Sequence, residues 1–313
     1  MRIHILDDWF DTLRALPSFA RLAGHEVTVW TDHLTDEAAL AQRLAGGEAL
    51  VLFRERTPIS EGLLSRLPDL RLISQRGVYP HVDVAACTAH RVLLCSDTGS
   101  DKPSYAAAEL TWALILAAMR QLPRQMASAR AGRWQAGVGK SLRGRVLGLY
   151  GYGRIGKVVA GYARAFGMKV LWWGSDAGRA RARAAGEEVV EIGVPPSLPI
   201  KSAVRIGAGD FAAMKPGSVL VNTSRAGLVQ SAALLAALNK GRPGIAALDV
   251  FDVEPMTDPD DPLVSHPNVI ATPHIGFVTE DELDSQFSDI YDQINAYATG
   301  APVHMINPEV WKP

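Results

Sequence analysis

The sequence predicts an α/β protein with two doubly wound parallel sheets and a cleft between them. Two observations carry this prediction: short apolar, β-branched runs recur along the chain, and segments with a helical spacing of apolar residues separate them. Such alternation is typical of parallel sheets covered by helices on both faces. A third observation divides the 313 residues into two series, because a long alanine-rich segment follows the fifth run. The runs lie at residues 3–6, 26–30, 49–53, 70–74, 91–95, 145–150, 169–173, 218–222, 244–249 and 268–272.

The alanine-rich segment runs from Ser104 to Arg130, and its part 104–121 is apolar on most sides of a helix. A helix of this kind is expected to be buried between domains or between subunits. We therefore expect a homodimer, with Trp134 near the contact. Residues 192–206 hold three prolines where the second series should supply a strand and a helix, so an irregular segment is expected there. A helical pattern returns at residues 279–299.

Composition argues against several classes of function. The net charge of −1 provides no general attraction to nucleic acid or to anionic lipid. The longest apolar run, Ala113 to Met119, is too short to span a bilayer. The two cysteines, Cys87 and Cys95, form neither a disulfide framework nor a C-x-x-C metal site, and no metal is expected. Because Asp7 and Asp8 interrupt any signal-like stretch, we expect a cytoplasmic protein.

A glycine-rich loop follows the run at 145–150 and precedes a helical pattern, which is the context of a dinucleotide-binding fingerprint. Its glycines suit a tight turn, a close approach to a pyrophosphate and a close helix–strand contact, and the helix N-terminus attracts phosphate. The loop also nearly matches a P-loop, but Val158 replaces the required Ser or Thr, which disfavours a nucleotide triphosphatase. We expect the loop to bind a dinucleotide through Gly151, Tyr152, Gly153, Arg154, Ile155 and Gly156.

Three charged residues each follow a later strand of the second series: Arg225, Glu254 and His274. The carboxyl ends of parallel strands border the ligand crevice, so these side chains are expected to lie near the dinucleotide. Hydride transfer between a nicotinamide and a 2-oxo acid needs a cation for the carboxylate and a proton donor for the alkoxide. Arg225 suits the first requirement and His274 the second, with Glu254 orienting the imidazole.

Four stretches make the chain resemble the D-isomer-specific 2-hydroxyacid dehydrogenase family over nearly its full length: GYGRIG (151–156), NTSRAG (222–227), DVFDVEP (249–255) and TPHIG (272–276). The resemblance implies that Arg225 binds substrate, that His274 is the acid/base and that Glu254 pairs with it. It also implies a flavodoxin-like substrate domain at residues 1–98 plus 282–313 and a Rossmann cofactor domain at 99–281. The expected activity is that of an NAD(P)-dependent oxidoreductase of small 2-oxo and D-2-hydroxy acids, such as glyoxylate or hydroxypyruvate.

The resemblance implies further binding residues. In the first domain a backbone loop for the substrate carboxylate corresponds to Gly77 and Val78, although the family's usual second glycine is replaced, and Arg54 matches a position near the substrate. Ala107, Ala108 and Glu109 resemble the helical segment that packs against the nicotinamide. Residues 192–206 depart from the family pattern and are shorter. Further cofactor contacts are expected from Ser175, Asp176, Thr223, Asp249 and Gly276.

The choice between NAD and NADP depends on the end of the 169–173 strand. An acidic residue there accepts hydrogen bonds from the ribose and repels a 2′-phosphate. Gly174 occupies that position, but Asp176 follows two residues later, so NAD is expected and NADP remains possible. A different class of function is a catalytically silent NAD(H) sensor that acts through partner proteins. Retention of Arg225, Glu254 and His274 together favours an enzyme.

Overall fold

The computed structural model describes residues 1–98, 105–190 and 206–312, and the proline-containing segment 192–205 lies outside them. The chain forms two compact units. Unit 1 comprises Met1–Asp101 and Thr279–Pro313, and unit 2 comprises Lys102–Val278. The sequence predicts boundaries after residues 98 and 281, and the two units meet after Asp101 and after Val278.

Each predicted apolar run contributes to a strand, and within the described residues these strands pair with one another in parallel. The prediction of parallel α/β sheets is therefore confirmed. The strands are β1 (Arg2–Ile5), β2 (Glu26–Val29), β3 (Ala49–Val51), β4 (Leu72–Arg76), β5 (Leu93–Asp97), β6 (Val146–Tyr150), β7 (Lys169–Trp173), β8 (Val219–Asn222), β9 (Ile245–Leu248) and β10 (Val269–Ala271). The helices are α1 (Glu37–Arg43), α2 (Glu61–Leu64), α3 (Val84–Ala89), α4 (Tyr105–Arg120), α5 (Leu122–Arg130), α6 (Arg154–Ala165), α7 (Asp176–Ala184), α8 (Ala208–Ala213), α9 (Ser231–Leu238) and α10 (Glu280–Ala298).

Unit 1 is a five-stranded sheet in the order β2-β1-β3-β4-β5, the flavodoxin-like order. Its central strands are buried on both faces, as their continuous apolar runs predict. The chain's last long helix, α10, packs against this sheet through Phe287, Tyr291 and Ile294. The Ser74 hydroxyl on β4 donates a hydrogen bond to the Ile290 carbonyl across that contact, at 2.9 Å. Both ends of the chain therefore complete unit 1.

Unit 2 contains two sets of hydrogen-bonded strands among its described residues, β6-β7 and β10-β9-β8. Packing connects the sets, because Val221 of β8 lies against the same apolar cluster as Leu147 and Leu149 of β6. The alanine-rich segment forms two helices rather than one. Gln121 separates α4 from α5 in a left-handed conformation with φ 53°, and Pro123 lies in the first turn of α5, where its missing N–H is not needed.

Candidate active site

The glycine-rich loop lies between β6 and α6. Gly151 adopts φ +94°, which favours glycine, and a Cβ on Gly151 or on Gly153 would meet no other atom within 4 Å. A Cβ on Gly156 would lie 3.0 Å from the Gly151 carbonyl oxygen and 3.2 Å from the Trp172 ring, so only glycine permits this approach of helix to strand. The open first half of the loop and the N-terminus of α6 fit a dinucleotide pyrophosphate.

Arg225 lies at the end of a turn that begins at the last residue of β8. The Asn222 side chain, which is buried, fixes this turn: its amide donates to the Arg225 carbonyl at 2.9 Å, and its oxygen accepts from the Ser224 N–H at 3.1 Å. The Arg225 guanidinium donates to the Ser224 carbonyl at 2.8 Å and keeps an exposed position. This turn therefore places a permanent positive charge at the carboxyl edge of β8.

Glu254 and His274 form a pair, with 2.5 Å between Glu254 Oε2 and His274 Nδ1. The other Glu254 oxygen accepts a hydrogen bond from the Phe251 N–H at 2.9 Å. Burial, the largest influence, raises the pKa of Glu254, but the hydrogen bonds from His274 and Phe251 and the charges of His274 and Arg225 outweigh it and hold that pKa below its usual value. The structure thus brings together the three residues that the sequence selected.

Asp249, at the end of β9, is buried and binds the loop that carries His274. One of its oxygens accepts hydrogen bonds from the Thr272 hydroxyl at 2.6 Å and from the Ile275 N–H at 2.9 Å. The other accepts from the Gly276 N–H at 2.9 Å. His274 has φ 52°, which L-residues rarely adopt, and these bonds on both sides of it hold the loop. The sequence predicts a cofactor contact for Asp249 but not that it holds the His274 loop, because residue spacing gives no signal of such a contact.

Two further predicted residues lie against helix α4. A Cβ on Gly276 would lie 3.1 Å from the Asp249 carboxylate, 3.8 Å from the Leu110 side chain and 3.9 Å from Cα of Ala107. The Thr223 hydroxyl lies 2.6 Å from the Thr111 hydroxyl on the same helix. Gly276 and Thr223 therefore both lie beside α4, and a side chain at position 276 would press on the Asp249 carboxylate.

The end of β7 lies beside the glycine loop. A Cβ on Gly174 would lie 3.4 Å from both the nitrogen and Cα of Gly151, so a side chain at this position would press on the loop. Ser175 is the N-cap of α7 and accepts a hydrogen bond from the Gly178 N–H at 3.2 Å. Asp176 pairs with Arg179, and its side chain is 80% exposed. The Asp176 carboxylate is thus exposed on the first turn of α7.

The three remaining predicted residues belong to unit 1. Arg54 follows β3 with φ 63°, and Gly77 follows β4 with φ 95°. The Gln75 side chain, 1% exposed, donates to the Val78 carbonyl at 3.2 Å, and the Ser96 hydroxyl donates to the Gly77 carbonyl at 2.8 Å. Buried side chains therefore fix the Gly77–Val78 loop within this unit.

Metal and membrane features were sought in the described ranges 1–98, 105–190 and 206–312. Nowhere in them do three His, Cys, Asp or Glu side chains lie close enough together to hold a metal ion. Among the helices of these ranges, none combines the length and the apolar character needed to cross a bilayer.

Comparisons with known proteins agree with this geometry. Residues 112–194 and 197–276, most of unit 2, match the model of the D-isomer specific 2-hydroxyacid dehydrogenase NAD binding domain, which supports NAD as the cofactor. The chain is 35% identical over 266 residues to the D-3-phosphoglycerate dehydrogenase of Bacillus subtilis, covering 81% of the chain and 50% of that relative. It is 32% identical over 311 residues to the glyoxylate reductase of Aeropyrum pernix, covering 92% of the chain and 91% of the reductase.

A solved structure is similar over the whole chain. It is that of a Ralstonia solanacearum protein named as a candidate D-3-phosphoglycerate dehydrogenase oxidoreductase, with a TM-score of 0.93, 40% identity and coverage of 100% of this chain and 98% of that one. The chain spans about half the length of the curated D-3-phosphoglycerate dehydrogenases that it matches. The domain match and the near full-length similarity to the reductase together show that the chain belongs to the D-isomer specific 2-hydroxyacid dehydrogenase family.

Proposed function

We propose that this protein transfers a hydride between NAD(H) and a small 2-oxo or D-2-hydroxy acid. The observation that carries the proposal is the Glu254–His274 pair with the Arg225 charge acting on it, in the unit that also carries the glycine loop. A silent NAD(H) sensor would need only the glycine loop. It would leave the paired imidazole and carboxylate without a function, so the arrangement favours an enzyme.

The protein's own residues have separate roles in this proposal. The Arg225 guanidinium binds the substrate carboxylate and polarises the adjacent carbonyl. Glu254 holds Nδ1 of His274, so Nε2 is the ring nitrogen that gives a proton to the alkoxide in reduction and takes it back in oxidation. NADH, when bound, supplies the hydride. The glycine loop, Thr223, Asp249 and Gly276 are assigned to the cofactor side.

Replacing His274 with Ala tests this mechanism. Loss of the proton donor should lower kcat by roughly 10²–10⁴ while the dissociation constant for NADH is unchanged. The substrates are glyoxylate, hydroxypyruvate, pyruvate and 3-phosphohydroxypyruvate, and the same panel identifies the preferred acid. His266→Ala is the control, because that ring only accepts a hydrogen bond from the Asn268 N–H in a nearby loop. Full activity of His274→Ala, or no oxidation of NADH by the wild type with any acid, would refute the proposal.

Asp176 is proposed to make NAD the preferred cofactor over NADP. Its exposed carboxylate suits the ribose hydroxyls, and its pairing with Arg179 keeps that guanidinium from a 2′-phosphate. One such charged contact corresponds to a roughly ten- to hundredfold difference in kcat/KM between NADH and NADPH. Asp176→Ser should reduce the NADH preference, whereas Glu188→Gln, a charge change at an exposed pair with Lys169, should not. A wild-type preference for NADPH would contradict the assignment.

Unit 1 is proposed to supply further substrate contacts. Arg54, Gly77 and Val78 are assigned to substrate binding, and Arg54→Gln should raise KM for the oxo acid.

The protein is proposed to form a homodimer. Exposed apolar side chains on α5 and in the residues after it support this proposal, and light scattering of the purified protein tests it. Their exposed fractions are 43% for Leu122, 51% for Met126, 79% for Trp134 and 89% for Val138. A cytoplasmic location is also proposed, because Cys87 and Cys95 are both free thiols and free thiols are typical of a reducing compartment.

A further inference from the structure

The hydroxyl pair between α4 and the end of β8 has a fixed direction. Thr111 Oγ1 lies 2.7 Å from the Ala107 carbonyl oxygen and 2.6 Å from Thr223 Oγ1. A carbonyl oxygen only accepts, and a hydroxyl has one hydrogen, so the Thr111 hydrogen goes to Ala107. Thr223 must therefore be the donor to Thr111. The direction follows from the two contacts taken together.

The polarity limits what Thr223 can offer to a bound molecule. Its single hydrogen points to Thr111, so the Thr223 oxygen can only accept a further hydrogen bond. Thr223 is half-buried and directly follows β8, two residues before Arg225. The Thr223 side chain is thus a hydrogen-bond acceptor at the end of β8, beside α4.

We propose that Thr111 is a positioning residue that makes Thr223 an obligate acceptor for the amide N–H of the nicotinamide carboxamide. This inference rests on the proposed function. The carboxamide has a donating NH₂ end and an accepting oxygen end, and a hydroxyl with a free hydrogen would bind either one. A hydroxyl that only accepts selects the NH₂ end, and so fixes how the carboxamide is turned in the site.

An equilibrium binding experiment tests the inference without turnover. Dissociation constants are measured by protein fluorescence for NADH and for reduced 3-acetylpyridine adenine dinucleotide, in which a methyl group replaces the NH₂. The wild type should bind the analogue about 2–12-fold more weakly, as for one neutral hydrogen bond. In Thr111→Val the Thr223 hydrogen is released and can reach the acetyl oxygen, so the ratio of the two constants should fall by at least half. Thr111→Ser restores the acceptor and should keep the wild-type ratio.

The outcomes separate the inference from the proposed function. Equal ratios in the wild type and Thr111→Val would overturn the inference, and so would a lowered ratio in Thr111→Ser. Thr223→Val removes the acceptor itself and tests the inference if Thr111→Val does not fold. An unchanged ratio of the two dissociation constants in Thr223→Val would also overturn the inference. A wild type that binds neither dinucleotide would instead refute the proposed function.

Discussion

Replacing Glu254 with Gln removes the charge that faces the His274 imidazole and keeps the size of the side chain. A hydrogen bond to a charged group contributes about 1.5–3 kcal/mol. Because 22% of the His274 side chain and 33% of the Glu254 side chain are exposed, solvent screening favours the lower figure. About 1.5 kcal/mol corresponds to roughly a tenfold change in a rate constant. The Glu254 carboxylate is the hydrogen-bond partner of His274 Nδ1, so its replacement should lower kcat/KM by about that factor.

The assay is kcat/KM for reduction of the preferred oxo acid at neutral pH, since this ratio reports the free enzyme. In Glu254→Gln it should be about tenfold below the wild-type value, because the imidazole loses the charged partner that orients it. Asp252→Asn is the matched control, because this carboxylate in the same loop accepts from Ser231 and not from His274. Equal kcat/KM values for Glu254→Gln and the wild type would show that the pair does not contribute to the reaction.

The remaining predictions concern binding and stability. Arg225→Lys keeps the charge but loses the planar fork, so KM for the oxo acid should rise and kcat should fall together, and an unchanged kcat/KM would place Arg225 outside the site. Asp249→Asn puts an NH₂ group against buried N–H donors, which should lower the free energy of unfolding by about 1–3 kcal/mol in denaturant titrations; no loss relative to Asp252→Asn would exclude the loop-holding role. Because the pKa of Glu254 is lowered, its ionised form stabilises the folded state at pH values above the ordinary pKa of 4.5. The difference in melting temperature between wild type and Glu254→Gln should therefore shrink as the pH falls below 4.5, and a constant difference would contradict this.

The features that follow from local residue patterns were predictable. The glycine loop was recognisable because its three glycines stand between a strand run and a helical pattern, and the structure gives Gly156 the close contact with Trp172 that its position requires. Arg225 and His274 were recognisable because polar residues that follow parallel strands of one sheet meet at its carboxyl edge. The strands were also predictable from a local pattern, because each is a short run of apolar, β-branched residues.

The features that depend on side chains distant in the chain were not predictable. Thr111 and Thr223 are 112 positions apart, and nothing in their neighbourhoods marks them as a pair. Asp249 binds backbone N–H groups, which every residue type supplies, so its loop-holding role leaves no sequence pattern. The break at Gln121 was also missed, because a single left-handed residue does not disturb the apolar pattern of the flanking helices.

The assembly of unit 1 from both ends of the chain has a consequence for synthesis on the ribosome. The strands of unit 1 emerge first, but the helix that packs Phe287 and Tyr291 against them is translated only after all of unit 2. At ~5–20 residues per second, that delay is roughly 10–35 s. Throughout it, the nascent β-strands lack their covering helix, whereas unit 2 is continuous and can fold as soon as it leaves the exit tunnel. Unit 1 is therefore the part of the nascent chain that most needs a chaperone.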